Sequence, residues 1–212
     1  MYGKGEVKPS GGYRHTLREM RRLVDTGRRS PAIVSRARDL TRNLPDRDGG
    51  AEVHAIHNFV RENVRYTRDP FGVETLTDPT DMLLEIDQAG RASEDCDSHV
   101  VLEASLLEAL GHPTQFATAA MDRSRPGDPS HVYLETRIAG EWVPLDPIVK
   151  NQSAGWITPE LAGRYGTTVG MGDVVDDVKE EASAFTRGLK WAVRIAVLWG
   201  AWRYVVKPII GR

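Results

Sequence analysis

Apolar positions recur at helical spacing through the first half of the chain and alternate in strand fashion after residue 112, which predicts helices followed by an antiparallel sheet. Residues 13–26 place Leu17, Met20 and either Arg21 or Val24 on one face before Gly27 ends the run. Ser30-Pro31 then reads as a helix start, Ser as cap and Pro in the first turn, with the helix lasting to Pro45. A third helix follows the polar DRDGG break, with Val53, Ile56, Phe59, Val60 and Val64 on its buried stripe. Residues 67–92, interrupted by Asp69-Pro70, Asp78-Pro79 and Gly90, read as an irregular approach holding one short helix at DMLLEI. The next pattern is helical again: Val100, Leu102, Leu106, Leu107 and Leu110 repeat up to Gly111. Ser93 or Asp95 caps that helix, which puts Cys96 in its first turn.

Three strand patterns come next, HPTQFATAAM, HVYLETRI and EWVPLDPI, the last two joined by Ala139-Gly140. With those two as the loop residues of a hairpin, 138 faces 141, Arg137 faces Trp142 and Tyr133 faces Asp146. His131 and Asp146 then share one face as diagonal neighbours, about 7 Å apart at Cα, within reach of a carboxylate–imidazole hydrogen bond. Trp142 either packs across the ladder against Arg137 or covers a groove.

The distribution of charge changes this picture more than its total. The chain of 212 residues carries a formal net charge of only -2, but residues 1–50 hold twelve basic against six acidic residues, and residues 183–212 hold six basic and no acidic ones. The middle is therefore strongly acidic. Such a layout either clamps the ends to the body or presents them to acidic partners; separately solvated faces fit equally well. The division expected is a basic helical arm over 1–50, a core domain over 51–160, and an extension over 161–212. That extension joins an acidic helix, DVVDDVKEEASAF, to a basic segment with three of the five Trp residues. The arm reads as a helical cap on the core in preference to a nucleic-acid surface, since its apolar stripe needs a packing partner. The Trp-rich segment fits a core helix, an oligomer contact or a helix lying on a membrane interface. Its uncharged centre, IAVLWGAW, is too short to span a bilayer, and the N-terminus has no apolar secretory core.

Chemistry points to the one cysteine. A single Cys excludes an intrachain disulfide and a thiolate cluster within one chain. In the first helical turn Cys96 meets free backbone N–H groups and the positive helix end, which favour the thiolate. With His131 on a facing strand and Asp146 orienting it, the set suits acyl transfer: thiol as nucleophile, imidazole as proton carrier, carboxylate fixing the tautomer. The Cys96 backbone N–H is the natural oxyanion donor, and Gln88 is a second candidate. His99, one turn on from Cys96, reads as a packing residue in preference to a second base. His54 and His57 lack the glutamate or thiol that a zinc site at their spacing needs.

The stretches EDCDSHVVLEASLLEALGHPTQF and HVYLETRIAGEWVPLDP resemble the transglutaminase-like superfamily, and especially its small bacterial and bacteriophage-encoded members. Cys96 stands at the family's nucleophile position, His131 at its histidine and Asp146 at its carboxylate. Asp97, Gly111, Trp142 and Pro147 match accompanying positions, while Glu94 stands where relatives often carry Gly. The resemblance spans about residues 50–160. It implies an α+β, papain-like core, with the Cys at a helix N-terminus packed on an antiparallel sheet and helices before and after. It also implies cysteine-dependent amide hydrolysis or acyl transfer on a peptide or protein substrate, without metal or organic cofactor. The alternative is a bacteriophage structural or assembly protein keeping this fold, with assembly contacts through the basic arm and the Trp-rich helix. A homo-oligomer and peripheral membrane contact belong to that expectation, nucleic acid does not. The expected location is the cytoplasm during synthesis, or a virion.

Overall fold

The computed structural model describes residues 4–7, 12–46, 48–69, 73–120, 129–148 and 154–155. The acidic helix, the Trp-rich helix and the boundary near 160 fall outside the described residues. In chain order the elements are β1 (Lys4–Val7), α1 (Gly12–Gly27), α2 (Pro31–Thr41), α3 (Gly49–Asn63), β2 (Val64–Tyr66), β3 (Glu74–Thr77), α4 (Pro79–Ala89), β4 (Ala92–Glu94), α5 (Cys96–Ala109), β5 (Thr114–Ala119), β6 (His131–Ile138) and β7 (Glu141–Leu145). This is a mixed α+β fold, helices first and the antiparallel sheet β5-β6-β7 after them.

Local signals explain most boundaries. Asp48 caps α3 by accepting from the Ala51 N–H, and Asp78 caps α4 through the Thr80 N–H with Pro79 in the first turn. Gly90 ends α4 in the left-handed region, φ 76°. Ser30 makes no side-chain cap on α2, contrary to expectation; its hydroxyl instead accepts from the Thr80 hydroxyl, tying α2 to α4. The segment before Cys96 is also more regular than its sequence suggests. β3 pairs antiparallel with β1, and β2 pairs parallel with β4, short ladders whose three- and four-residue strands carry little periodic signal.

α5 is the centre of the molecule. α1, α2, α3 and α4 pack against it, as does β6 of the sheet. Val100, Val101, Leu102, Leu106 and Leu107 are fully buried, each such side chain contributing about 1.5–3 kcal/mol of apolar transfer. A helix enclosed all round must also bury its polar positions, and most of their atoms find partners, Glu103 Oε2 being an exception. His57 Nδ1 lies 2.8 Å from Glu103 Oε1, Ser105 Oγ donates to the Val101 carbonyl at 2.7 Å, and Arg21 of α1 grips Glu108. Leu17, Met20 and Val24 face the core from α1 and Ile33 and Ala37 from α2, so residues 13–41 pack on α5. Ion pairs join the basic helices to the body, among them Arg21–Glu108 and Arg36–Asp87. Among the described residues, no helix is long and apolar enough to cross a membrane.

Candidate active site

Cys96 opens α5, and three contacts hold that opening. Asp95 is extended at φ -83°, ψ -171°, and its carboxylate accepts from the Ser98 N–H, which selects Asp95 over Ser93 as the cap. β4 is anchored beside β2, with Thr67 N–H donating to the Glu94 carbonyl at 2.8 Å. His99 lies with Nδ1 2.6 Å from the Asp95 carbonyl and Nε2 3.3 Å from that of Val64. His99 is therefore a buried strut between α5 and β2, the packing role expected for it, and burial lowers its pKa.

The sheet supplies the other two residues. Ala139 (φ 53°) and Gly140 (φ 88°) form the two-residue turn of a hairpin, both with positive φ as its inverted geometry requires. The register follows the sequence reading, with Ile138 opposite Glu141, Arg137 opposite Trp142 and Leu134 opposite Leu145. Arg137 stacks its guanidinium 5.0 Å from the centre of the Trp142 ring, so Trp142 packs across the ladder. At the far end of the hairpin, His131 Nε2 lies 3.1 Å from Asp146 Oδ2, both residues buried. His131 is also held from the other side, opposite Ala119 of β5. Its Nε2 is thus committed to the carboxylate, which leaves Nδ1 for proton exchange.

Strand β6 begins against Cys96. The backbone N–H of Val132, the residue after His131, donates to the Cys96 sulfur. The thiol donates in turn to Asp97 Oδ1 at 3.3 Å, and His131 lies close enough to Asp97 to interact with its carboxylate electrostatically. Cys96, His131 and Asp146 are accordingly gathered at one end of α5 and the sheet. Gln88 sits exposed in the last turn of α4.

The electrostatics correct one expectation. Burial, with the negative charges of Asp97 and Asp95, pushes the Cys96 thiol well above its ordinary range, outweighing the helix end and the Val132 N–H. These influences favour the neutral thiol over the thiolate. Glu94 turns inward and is 2 % exposed; the like charges acting on Cys96 come from Asp97 and Asp95. Asp69 and Glu74 join them. Carboxylate oxygens of Asp69, Glu74 and Asp95 lie within 4.8 Å of one another, a hard-oxygen set of the kind that suits Ca²⁺ or Mg²⁺. Crowding and burial raise the pKa of Glu74, Asp95 and Asp97, with Asp95 reaching about 8. This acidic collar was not legible in the sequence, because Asp69 and Glu74 belong to no periodic pattern and meet Asp95 only in the folded chain. Asp69 is fixed by the Thr75 N–H and hydroxyl, at 2.6 and 2.7 Å.

The profile of the transglutaminase-like superfamily matches residues 34–147, more than half of the chain, and the protein belongs to that superfamily. Comparison with curated proteins returns no match. Among solved structures, a protein of Parabacteroides distasonis provisionally named a protease aligns with 80% of this chain and 31% of its own, at 13% identity and a TM-score of 0.54. A provisionally named cysteine protease of Cytophaga hutchinsonii aligns over 55% of this chain and 36% of its own, at 20% identity and TM-score 0.40. Calcium-bound LapG of Legionella pneumophila aligns over 83% of this chain and 98% of its own, at 12% identity and TM-score 0.44. The chain thus spans about a third of the length of the Cytophaga and Parabacteroides proteins. At these identities the likeness is one of fold.

Proposed function

We propose that the chain is a cysteine-dependent amide hydrolase or acyl transferase acting on peptide or protein amide bonds, with Cys96 as nucleophile, His131 as proton carrier and Asp146 as its orienting acid. The observation that carries this reading is the buried 3.1 Å contact between His131 Nε2 and Asp146 Oδ2 on the strand whose next N–H meets the Cys96 sulfur. In this reading His131 Nδ1 acts as a general base: it takes the thiol proton as sulfur attacks the carbonyl carbon. The oxyanion accepts from the Cys96 backbone N–H. On collapse the C–N bond breaks, the amine leaves with the proton from His131, and a thioester remains. Water then gives its proton to His131 and attacks the thioester, and the proton returns to sulfur as the acid leaves; an amine in place of water completes transfer instead. Hydrolysis is the favoured outcome. The test is incubation of the full chain with a peptide library, with and without a labelled primary amine, read by mass spectrometry. Cleaved or labelled peptides that disappear in both Cys96→Ala and His131→Ala support the reading; products that persist in the variants oppose it.

A second reading is favoured by the burial of Cys96 beside Asp97 and Asp95, which disfavours the thiolate: a bacteriophage structural or assembly protein that keeps the fold without turnover. Its contacts would run through the basic arm and the Trp-rich C-terminal segment, with a second copy of the chain or a membrane surface as partner. Sedimentation of the full chain against residues 1–160 tests it, since assembly that survives removal of the Trp-rich segment removes its main support.

A further inference from the structure

β3 has two hydrogen-bonding edges, and they face different parts of the molecule. Toward the interior, the Thr77 N–H donates to Ser98 Oγ at 3.2 Å and the Thr75 N–H to Asp69 Oδ2 at 2.6 Å. Successive amides of an extended chain point to opposite sides, so Leu76 and Glu74 turn theirs outward. There β1 lies antiparallel, with Gly5 opposite Leu76 and Val7 opposite Glu74. These are the pairs that exchange ladder hydrogen bonds; Lys4–Thr77 and Glu6–Thr75 are the intervening pairs that do not. Among the described residues β3 pairs with no other strand.

The strand itself lies next to the opening of α5 that carries the thiol. One end of β3 bonds Ser98, two residues beyond Cys96, and the carboxylate of Glu74 at the other end is grouped with that of Asp95, the residue before it. A two-stranded ladder of four residues is marginal in water, so the strand filling the edge can exchange. We propose that the outer edge of β3 is a docking site for an extended peptide, filled in the resting chain by its own residues 4–7. The incoming peptide replaces β1 in the same antiparallel sense, with its carboxyl-ward end at Glu74. The peptide's role as substrate rests on the acyl-transfer reading above, whereas the strand exchange does not.

The test uses the full chain carrying Cys96→Ala, so that binding is read without chemistry, and a fluorescein-labelled peptide of residues 1–9, followed by anisotropy. On this chain, methylating the peptide nitrogen of Gly5 abolishes binding, because that N–H enters the ladder, while methylating that of Glu6 leaves it intact. Adding Gly5→Pro to the chain weakens its own strand and tightens peptide binding about tenfold, while Glu6→Pro, whose N–H points outward, changes it little. Equal effects of the two methylations, or equal affinities of the two proline chains, overturn the proposal. Because no thiol takes part, failure here leaves the acyl-transfer reading standing, and failure of that reading leaves this result untouched.

Discussion

Arg21 is the side chain through which the basic first helix is held most firmly to the acidic centre. Its guanidinium donates to both oxygens of Glu108, Nη1 to Oε1 at 2.7 Å and Nη2 to Oε2 at 2.6 Å, and the Glu108 side chain is only 2% exposed. Arg21→Ala leaves that carboxylate buried. Loss of one partner of a buried pair costs about 3–5 kcal/mol. Thr114, whose hydroxyl still donates to Oε1 at 2.6 Å, and Arg28, 3.7 Å away, offset part of this, so the expected loss is about 2–3 kcal/mol. In urea unfolding with a slope of about 2 kcal/mol/M, the midpoint falls by roughly 1–1.5 M. Arg22→Ala removes only an exposed pair with Glu19 and serves as the control, with an effect below about 0.5 kcal/mol. Adding Glu108→Leu to Arg21→Ala restores most of the loss, because the orphaned charge is gone. If Arg21→Ala is as mild as Arg22→Ala, or the double variant is worse than the single, α1 is not clamped as described.

Other consequences are open to the same instruments. Asp97→Asn removes the carboxylate that accepts from the thiol and moves the pH midpoint of Cys96 alkylation down; an unchanged midpoint refutes the electrostatic assignment. Ala139→Gly relieves a left-handed alanine at φ 53° and stabilises the hairpin by about 1 kcal/mol, read as a raised urea midpoint. Asp95 has its folded pKa raised to about 8, so the folded state keeps a proton that the unfolded chain has lost. Its contribution is least unfavourable below the unfolded value of about 3.9 and becomes more unfavourable as pH rises toward 8. Asp95→Asn keeps a capping side chain and removes that slope, so its stability advantage over the parent grows from pH 5 to pH 8; a constant difference contradicts the shift.

The helices and the three-stranded sheet were legible because each is long enough for its period to show. The hairpin was legible to the residue: Ala139-Gly140 fixed the register, and the register placed His131 beside Asp146. The short strands β1 to β4 escaped because three or four residues among prolines and charges carry no usable alternation, and their pairing is decided by tertiary context. Two features of the site escaped for the same reason. The acidic collar depends on a loop brought in by β3, and the inward turn of Glu94 depends on β4 lying beside β2. The helix-end argument for a thiolate was sound as local physics, but Asp95 and Asp97, both visible in the sequence, act on the sulfur from closer range once buried with it.

The central claim is that His131, oriented by Asp146, draws the proton from Cys96. The most direct measurement is the rate of Cys96 alkylation by iodoacetamide against pH in the parent chain and in His131→Ala. The parent is expected to show two rises, an imidazole-assisted step well below the free-thiol range of about 8.5 and a second above it where the buried thiol ionises alone. His131→Ala should keep only the second. Superimposable profiles, with no step below the ordinary thiol range in either chain, would contradict the pairing.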